Sequence, residues 1–326
     1  MRHSSSFFKL FPPPKILFMP HVGLDISDDA IRCIAYDRTI HGNKIAFYGM
    51  QELPTGLIDG GDVRDEKKFV EILSSFVRKY KLSYVKVSLP EEKAYLFQTD
   101  ISSDDPRAVH ENIEFKLEEN VPLSAKDAVF YIDILPKSVT GGVLKATVSV
   151  VPKIYIEKYI SILRLSNLTP VAFEVVPKSI ARTAIEPTSE ETKLILHIMN
   201  RKTGIYIVSG MAVHFSSTIV WGSRMDGTKP VSGSLKTDIL IKEIGRVNNY
   251  WTTRPDTSTS ISKIMCVGRD AILLRDSFKG SAVNDIQLDQ EIDVWKNVLD
   301  INHDIPPISF EESFEYIVAA GLALPL

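Results

Sequence analysis

Apolar residues along this chain recur in two rhythms, and their order predicts an alternating α/β protein. Residues 22–27, 31–36 and 44–49 read as short strands, a meander that opens the ordered body. Across 65–82 the period becomes helical, with Phe69, Ile72, Leu73, Phe76, Val77 and Tyr80 on one stripe. Strand character returns at 84–89, and Pro90 ends it. The middle repeats the theme on a smaller scale. A helix over 106–119 carries Pro106 in its first turn, where a missing amide donor costs little. Strands at 129–135 and 145–151 flank Gly141 and Gly142, a pair suited to a hairpin turn needing positive φ. A helix at 154–165 and a strand at 171–175 follow.

A second large unit reads as strands at 194–199, 204–209 and 212–220, a long helix at 235–251, a polar loop at 254–262, a buried strand at 264–267 and a helix at 271–278. The tail, 310–324, is helical, and its apolar face of Phe314, Ile317, Val318 and Leu322 needs a sheet to cover. Strand, strand, strand, helix recurs in both halves, which predicts an internally duplicated architecture. The expected division is a flexible leader at 1–21, a first lobe at 22–83, a small inserted α/β domain at 84–175, a second lobe at 176–308 and a C-terminal helix at 309–326 packing on the first lobe.

Composition narrows the function. At 326 residues the chain exceeds what one core usually spans. A net charge of -3, from 38 basic and 41 acidic residues, gives no support for a general nucleic-acid groove. Cys33 and Cys266 lack a paired Cys-x-x-Cys context and read as small buried hydrophobes. No apolar run reaches the roughly 18–20 residues a bilayer requires, so a cytosolic address is expected. In the leader, Phe7, Phe8, Leu10 and Phe11 precede Pro12-Pro13-Pro14, which breaks any single helix there. Two readings stand for it: aromatics packing locally, or a short segment that touches a partner or a membrane.

Several segments, in order, carry a likeness. Gly23-Leu24-Asp25-Ile26-Ser27 with the residues to Arg32 resembles the first phosphate loop of actin-like ATPases. Leu53-Pro54 followed by Gly56 to Val63, the helix over 112–122, Glu243-Ile244-Gly245-Arg246 with Tyr250, and Ala319-Ala320-Gly321-Leu322-Ala323-Leu324 extend the match over 22–324. The chain resembles the PilM family of type IV pilus assembly proteins, relatives of the division protein FtsA. The resemblance implies a two-lobed actin-like α/β fold of the duplicated ribonuclease H type, with a small α/β domain inserted in the first lobe. It also implies ATP and magnesium between the lobes of active members, and a short cytoplasmic peptide from a PilN-like inner-membrane protein as ligand.

The nucleotide stations depart from that pattern. A phosphate loop works because glycine admits close backbone approach while amides and hydroxyls meet the oxygens. Here Ser27 stands in place of glycine, and Asp28 and Asp29 bring carboxylates that oppose polyphosphate. In the second loop His197 replaces the expected acid and Met199 adds bulk, with Thr203 beyond. Arg201 and Lys202 read as a solvated hairpin tip, with attraction of an anion as the alternative, and His197 as an oriented structural histidine rather than a metal ligand. The third station keeps Gly268 but follows it with Arg269 and Asp270. Vestigial or weak nucleotide contacts are therefore expected from Asp25, Ser27, Thr203, Glu243, Arg246 and Gly268. For Glu243 and Arg246 an ordinary exposed helix face is the equal rival. No nucleophile elbow, catalytic triad or zinc spacing offers other chemistry, so neither a catalytic residue nor a metal site is expected.

The expected function is a non-catalytic or weakly nucleotide-binding scaffold of type IV pilus or related secretion machinery. It would lie at the cytoplasmic face of the inner membrane, held by protein partners and open to further assembly components or self-association. An ATP-binding, ATP-hydrolysing assembly switch is the alternative. Residues 97–101 and 115–121 are candidates for the peptide groove, against the competing reading that they fill the small domain's own core.

Overall fold

The computed structural model describes residues 21–39, 42–101, 105–135, 144–186, 188–228, 230, 235–254, 259–278, 283, 285–299 and 305–325. Residues 1–20 of the predicted 1–21 leader, the Gly141-Gly142 turn and residues 255–258 of the 254–262 loop lie outside them.

The first lobe begins with the expected meander: β1 (Val22–Ile26), β2 (Ala30–Thr39) and β3 (Gly42–Glu52), paired antiparallel. A small hairpin follows, β4 (Ile58–Asp59) and β5 (Asp62–Val63), turned by Gly60 and Gly61 at φ 55° and 77°. Two consecutive positive φ values are what such a two-residue turn demands, and glycine adopts them without strain. Helix α1 (Glu66–Tyr80) starts at an Asp65 cap whose carboxylate accepts the Lys68 amide, and it buries Phe69, Leu73, Phe76 and Val77. Strand β6 (Tyr84–Leu89) then lies parallel to β1.

A 3-10 turn, Glu91–Lys93, leads into the inserted unit: β7 (Tyr95–Ile101), α2 (Pro106–Asn120), β8 (Ala128–Ile134) and β9 (Leu144–Pro152). Its sheet runs β7-β9-β8, and Ile113, Leu117, Val121, Val148 and Val150 make a separate small core. The unit is thus narrower than 84–175. Strand β6, helix α3 (Lys153–Leu165) and strand β10 (Thr169–Val175) belong to the first lobe. Tyr159, Ile162 and Leu163 of α3 share a core with α1, and β10 pairs parallel with β6. Sequence periodicity marks each element but not which sheet it joins, so the boundary fell too wide. Helix α4 (Val176–Ala184), not anticipated, packs on the C-terminal helix, β10 and β6 as well as on the second lobe, so the lobes do not part cleanly at 176.

The second lobe repeats the first. Strands β11 (Thr192–Ile198), β12 (Thr203–Ser209) and β13 (Ala212–Ile219) form the antiparallel meander. Helix α5 (Asp238–Thr252) precedes β14 (Ile261–Gly268), which is parallel to β11 and longer than the predicted 264–267. Helix α6 (Ala271–Ser277) and β15 (Gln287–Leu288) complete it. The orders β3-β2-β1-β6-β10 and β13-β12-β11-β14-β15 are the same topology twice, three antiparallel strands and two parallel additions. The tail is α7 (Phe310–Ser313), a 3-10 turn and α8 (Ile317–Ala323). Helix α8 lies against β1, β2, β6 and α4, as the tail's apolar face requires.

Candidate functional site

The equivalent turns of the two meanders face each other. In the first lobe, β1 passes to β2 through Ser27, Asp28 and Asp29. The Ser27 amide donates to the Ala30 carbonyl (3.0 Å), while its hydroxyl accepts the Ala30 amide (3.2 Å) and meets the Ala30 carbonyl (3.0 Å). The turn is closed on itself, and its serine is spent locally. Asp25 is buried at the end of β1, where the Ser88 hydroxyl donates to it (2.9 Å) and Arg32 lies 3.8 Å away. Burial raises its pKa, against the pull of Arg32 and Ser88.

Asp28 and Asp29 make the contacts that decide the site. Asp28 accepts the Gly60 and Gly61 amides at 3.0 and 3.2 Å, a pair of backbone donors made convergent by the left-handed turn. Its carboxylate also pairs with Lys202 of the second lobe at 2.8 Å. Asp29 accepts the Asn200 amide at 2.9 Å. Asn200 opens the second-lobe turn, between β11 and β12. Lys202 reaches Glu92 as well. Burial disfavours its ammonium, but Asp28 and Glu92 outweigh that and hold its pKa up. The expectation of a solvated tip fits the exposed Arg201 and fails for Lys202, whose side chain is 15% exposed.

Beside this bridge lies a buried chain. The Tyr206 hydroxyl donates to Glu91 at 2.6 Å and stands 3.5 Å from His197 Nδ1. Burial, with Arg32 and Lys202 nearby, depresses the His197 pKa to about 3, so the ring is neutral. Burial and the adjacent Glu92 raise Glu91 to about 7. Gly268, at φ 90°, closes the third station: a Cβ there would stand 2.4 Å from the Ile198 carbonyl oxygen and 2.8 Å from the His197 ring. Arg269 turns into the cleft. It binds Glu315 at 3.0 Å, an oxygen that Arg32 also holds at 3.0 Å, and Glu52 at 3.1 Å. Asp270 is drawn aside by Arg224, which grips both carboxylate oxygens at 2.8 and 3.0 Å.

The cleft thus gathers Asp25, Ser27, Thr203 and Gly268. Thr203 is buried and its hydroxyl has no hydrogen-bond partner. Glu243 and Arg246 are not drawn in. They pair with each other at 3.0 Å along α5, with the Arg246 side chain 65% exposed, and no hydrogen bond or ion pair joins them to the other four. Glu91, Tyr206, Arg32 and Glu315 were missed. Arg32 and Tyr206 showed only as a charge and a hydroxyl within apolar runs, and Glu91 and Glu315 as acids of polar segments, none of which names a partner more than a hundred residues away.

Asp28 and Asp29 engage the Gly60, Gly61 and Asn200 amides, and Lys202 pairs with both Asp28 and Glu92. Among the described residues no group of three or more His, Cys, Asp or Glu side chains is placed to hold a metal ion.

No family profile and no curated protein matches the sequence. Solved structures do match the fold. The structure of a "PilM-PilN type IV pilus biogenesis complex" aligns at a TM-score of 0.73, with 18% identity over 94% of this chain and 98% of that one. The fold is actin-like. A second similar structure, the ethanolamine utilization protein EutJ from Carboxydothermus hydrogenoformans, aligns at 0.51 with 13% identity, over 96% of this chain and 90% of that one. In this actin-like frame, the Ser27–Asp29 turn and the turn at Asn200 occupy the two equivalent positions of a duplicated lobe.

Proposed function

We propose that this chain is a non-catalytic actin-like scaffold of type IV pilus or related secretion machinery, which holds a cytoplasmic peptide of a PilN-like inner-membrane protein. One observation carries the non-catalytic part: Asp28 and Asp29 place carboxylates in the first-lobe turn where phosphate would have to sit, Asp28 held by the Gly60 and Gly61 amides and Lys202 and Asp29 by the Asn200 amide of the other lobe. Moving them aside to admit ATP would break three amide contacts and leave Lys202 with Glu92 as its remaining carboxylate partner. The pilus assignment is supported by the 0.73 likeness to the PilM–PilN structure. No helix among the described residues is long and apolar enough to cross a membrane, so membrane attachment in this reading comes through other contacts.

For the peptide, the boundary between the inserted unit and the first lobe is the fitting surface. Val129 and Tyr131 of β8 remain 43% and 61% exposed there, and Lys178 of α4 ties the boundary together through Asp133 at 2.6 Å. Exposed apolar side chains beside the free edge of β8 suit an extended peptide that adds backbone hydrogen bonds. Of the earlier candidates, Phe97 and Leu117 pack in the small core, while Phe115 is 77% exposed.

Calorimetry with magnesium and ATP on nucleotide-stripped protein tests the proposal. No heat of binding and no phosphate release, with or without the partner peptide, is the expected outcome. Micromolar binding that vanishes on Asp25→Ala, or turnover stimulated by the peptide, would establish the assembly-switch alternative instead.

A further inference from the structure

The end of the first lobe remote from the cleft has a composition the scaffold reading does not use. Helices α1 and α3 lie side by side over the same core, and each feeds a parallel strand, β6 and β10. Both therefore finish at the same end of the sheet. Both close alike, with left-handed Lys81 and Asn167 and with Leu82 and Leu168 amides bonded back to Val77 and Leu163. The Thr169 amide donates to the Ser83 carbonyl at 2.8 Å, which fixes the two closing turns against each other.

That end is basic and free of acids along both helices. Residues 72–85 and 158–173 contain no Asp or Glu. Arg78, Lys79, Lys81 and Arg164 are all exposed. Arg78, Lys81 and Arg164 join no ion pair among the described residues, and Lys79 lies over the Tyr80 ring. Between the cations, Leu165 is 65% and Tyr84 47% exposed. An open groove of about 230 Å³ beside them is lined by Ile160, Leu168 and Phe173, with Arg164 at its rim. Strand β1 starts at this end as well, since Val22 pairs with Val85, which pairs with Pro170.

We propose that this end of the first lobe docks directly onto an anionic phospholipid surface. Unpaired cations on one face are drawn to acidic headgroups, and an exposed leucine and tyrosine among them suit the headgroup boundary, where amphipathic side chains are stable. A polar acidic protein would satisfy the cations but would leave Leu165, Tyr84 and the apolar groove wet. The inference is independent of the cleft and of the peptide partner, since it uses neither.

Co-sedimentation of the full chain with vesicles tests it. The protein pellets with phosphatidylcholine vesicles containing roughly 30 mol% phosphatidylglycerol, not with phosphatidylcholine alone, and about 0.5 M salt releases it. The triple variant Arg78→Glu/Lys81→Glu/Arg164→Glu loses affinity about tenfold or more. A variant of equal charge change elsewhere, Arg107→Glu/Lys126→Glu/Lys242→Glu, retains it. If the triple variant fails to fold, Arg164→Glu alone supplies the same comparison. Equal pelleting with neutral vesicles, an equal loss in the control variant, or capture by immobilised polyglutamate without capture by vesicles would overturn the proposal. So would complete loss of binding on deleting residues 1–20 with none on reversing the three charges, because the contact would then lie outside the folded lobe.

Discussion

Lys202 shows how one side chain acquires a role from the other lobe. With Lys202→Met, Asp28 and Glu92 are left facing each other without their shared cation, and part of that space is screened from water. Losing a partly buried charge contact costs about 1–3 kcal/mol, so the urea midpoint should fall with little change in slope. Two neighbours set opposite pH legs. His197 has a depressed pKa of about 3, so the unfolded chain holds the extra proton and stability falls as pH drops from about 6.5 toward 3. Glu91 has a raised pKa of about 7. Its contribution is full below about 4.5 and is lost as pH climbs to 7. In Glu91→Gln, which still accepts the Tyr206 hydroxyl, the decline between those values should flatten, measured as unfolding free energy against pH. An unchanged slope would count against a buried, protonatable Glu91.

At the scale of elements, the C-terminal helix is held by close backbone approach. A Cβ on Gly321 would meet the Ser179 carbonyl oxygen at 2.0 Å, and one on Gly23 would meet the Ala319 carbonyl oxygen at 2.1 Å. Helix α8 therefore touches α4 on one side and β1 on the other with no room for a methyl group. Gly321→Ala should cost about 1–3 kcal/mol, as overpacking does, seen as a lowered thermal midpoint. Deleting 314–326 should also expose the first lobe to proteolysis, since Phe314, Ile317, Val318 and Leu322 are all buried. The tail's apolar spacing announced a covered helix in the sequence. Packing on the first lobe was expected with it, but which strands receive the helix did not show, because nothing in the tail points to a strand nearly three hundred residues earlier.

For the whole molecule, the two lobes are joined across the cleft by Asp28, Asp29, Glu91 and Glu92 on one side and Asn200, Lys202 and Tyr206 on the other. Arg269 adds links to Glu52 and to Glu315 in the tail segment. The double variant Asp28→Ala/Asp29→Ala frees the Asn200 amide and both glycine amides. It should open the cleft, giving a larger radius of gyration by X-ray scattering and faster hydrogen exchange at Asn200. An unchanged scattering profile would mean that core packing alone sets the closure.

The sequence by itself determined most element types, the repeated succession of three strands and a helix, the actin-like likeness and the departures from the family pattern at each phosphate station. These depend on local periodicity and on which residue stands at a motif position, and both are written along the chain. Tertiary structure decided the rest. It assigned β6, α3 and β10 to the first lobe rather than to the insertion, because strand pairing and a shared core depend on contacts distant in sequence. It also gave Asp28 and Asp29 their meaning. In the sequence they are two acids that repel phosphate. Folded against Gly60, Gly61, Asn200 and Lys202, they hold the donors themselves, because a carboxylate satisfies a convergent pair of amides as a phosphate oxygen would.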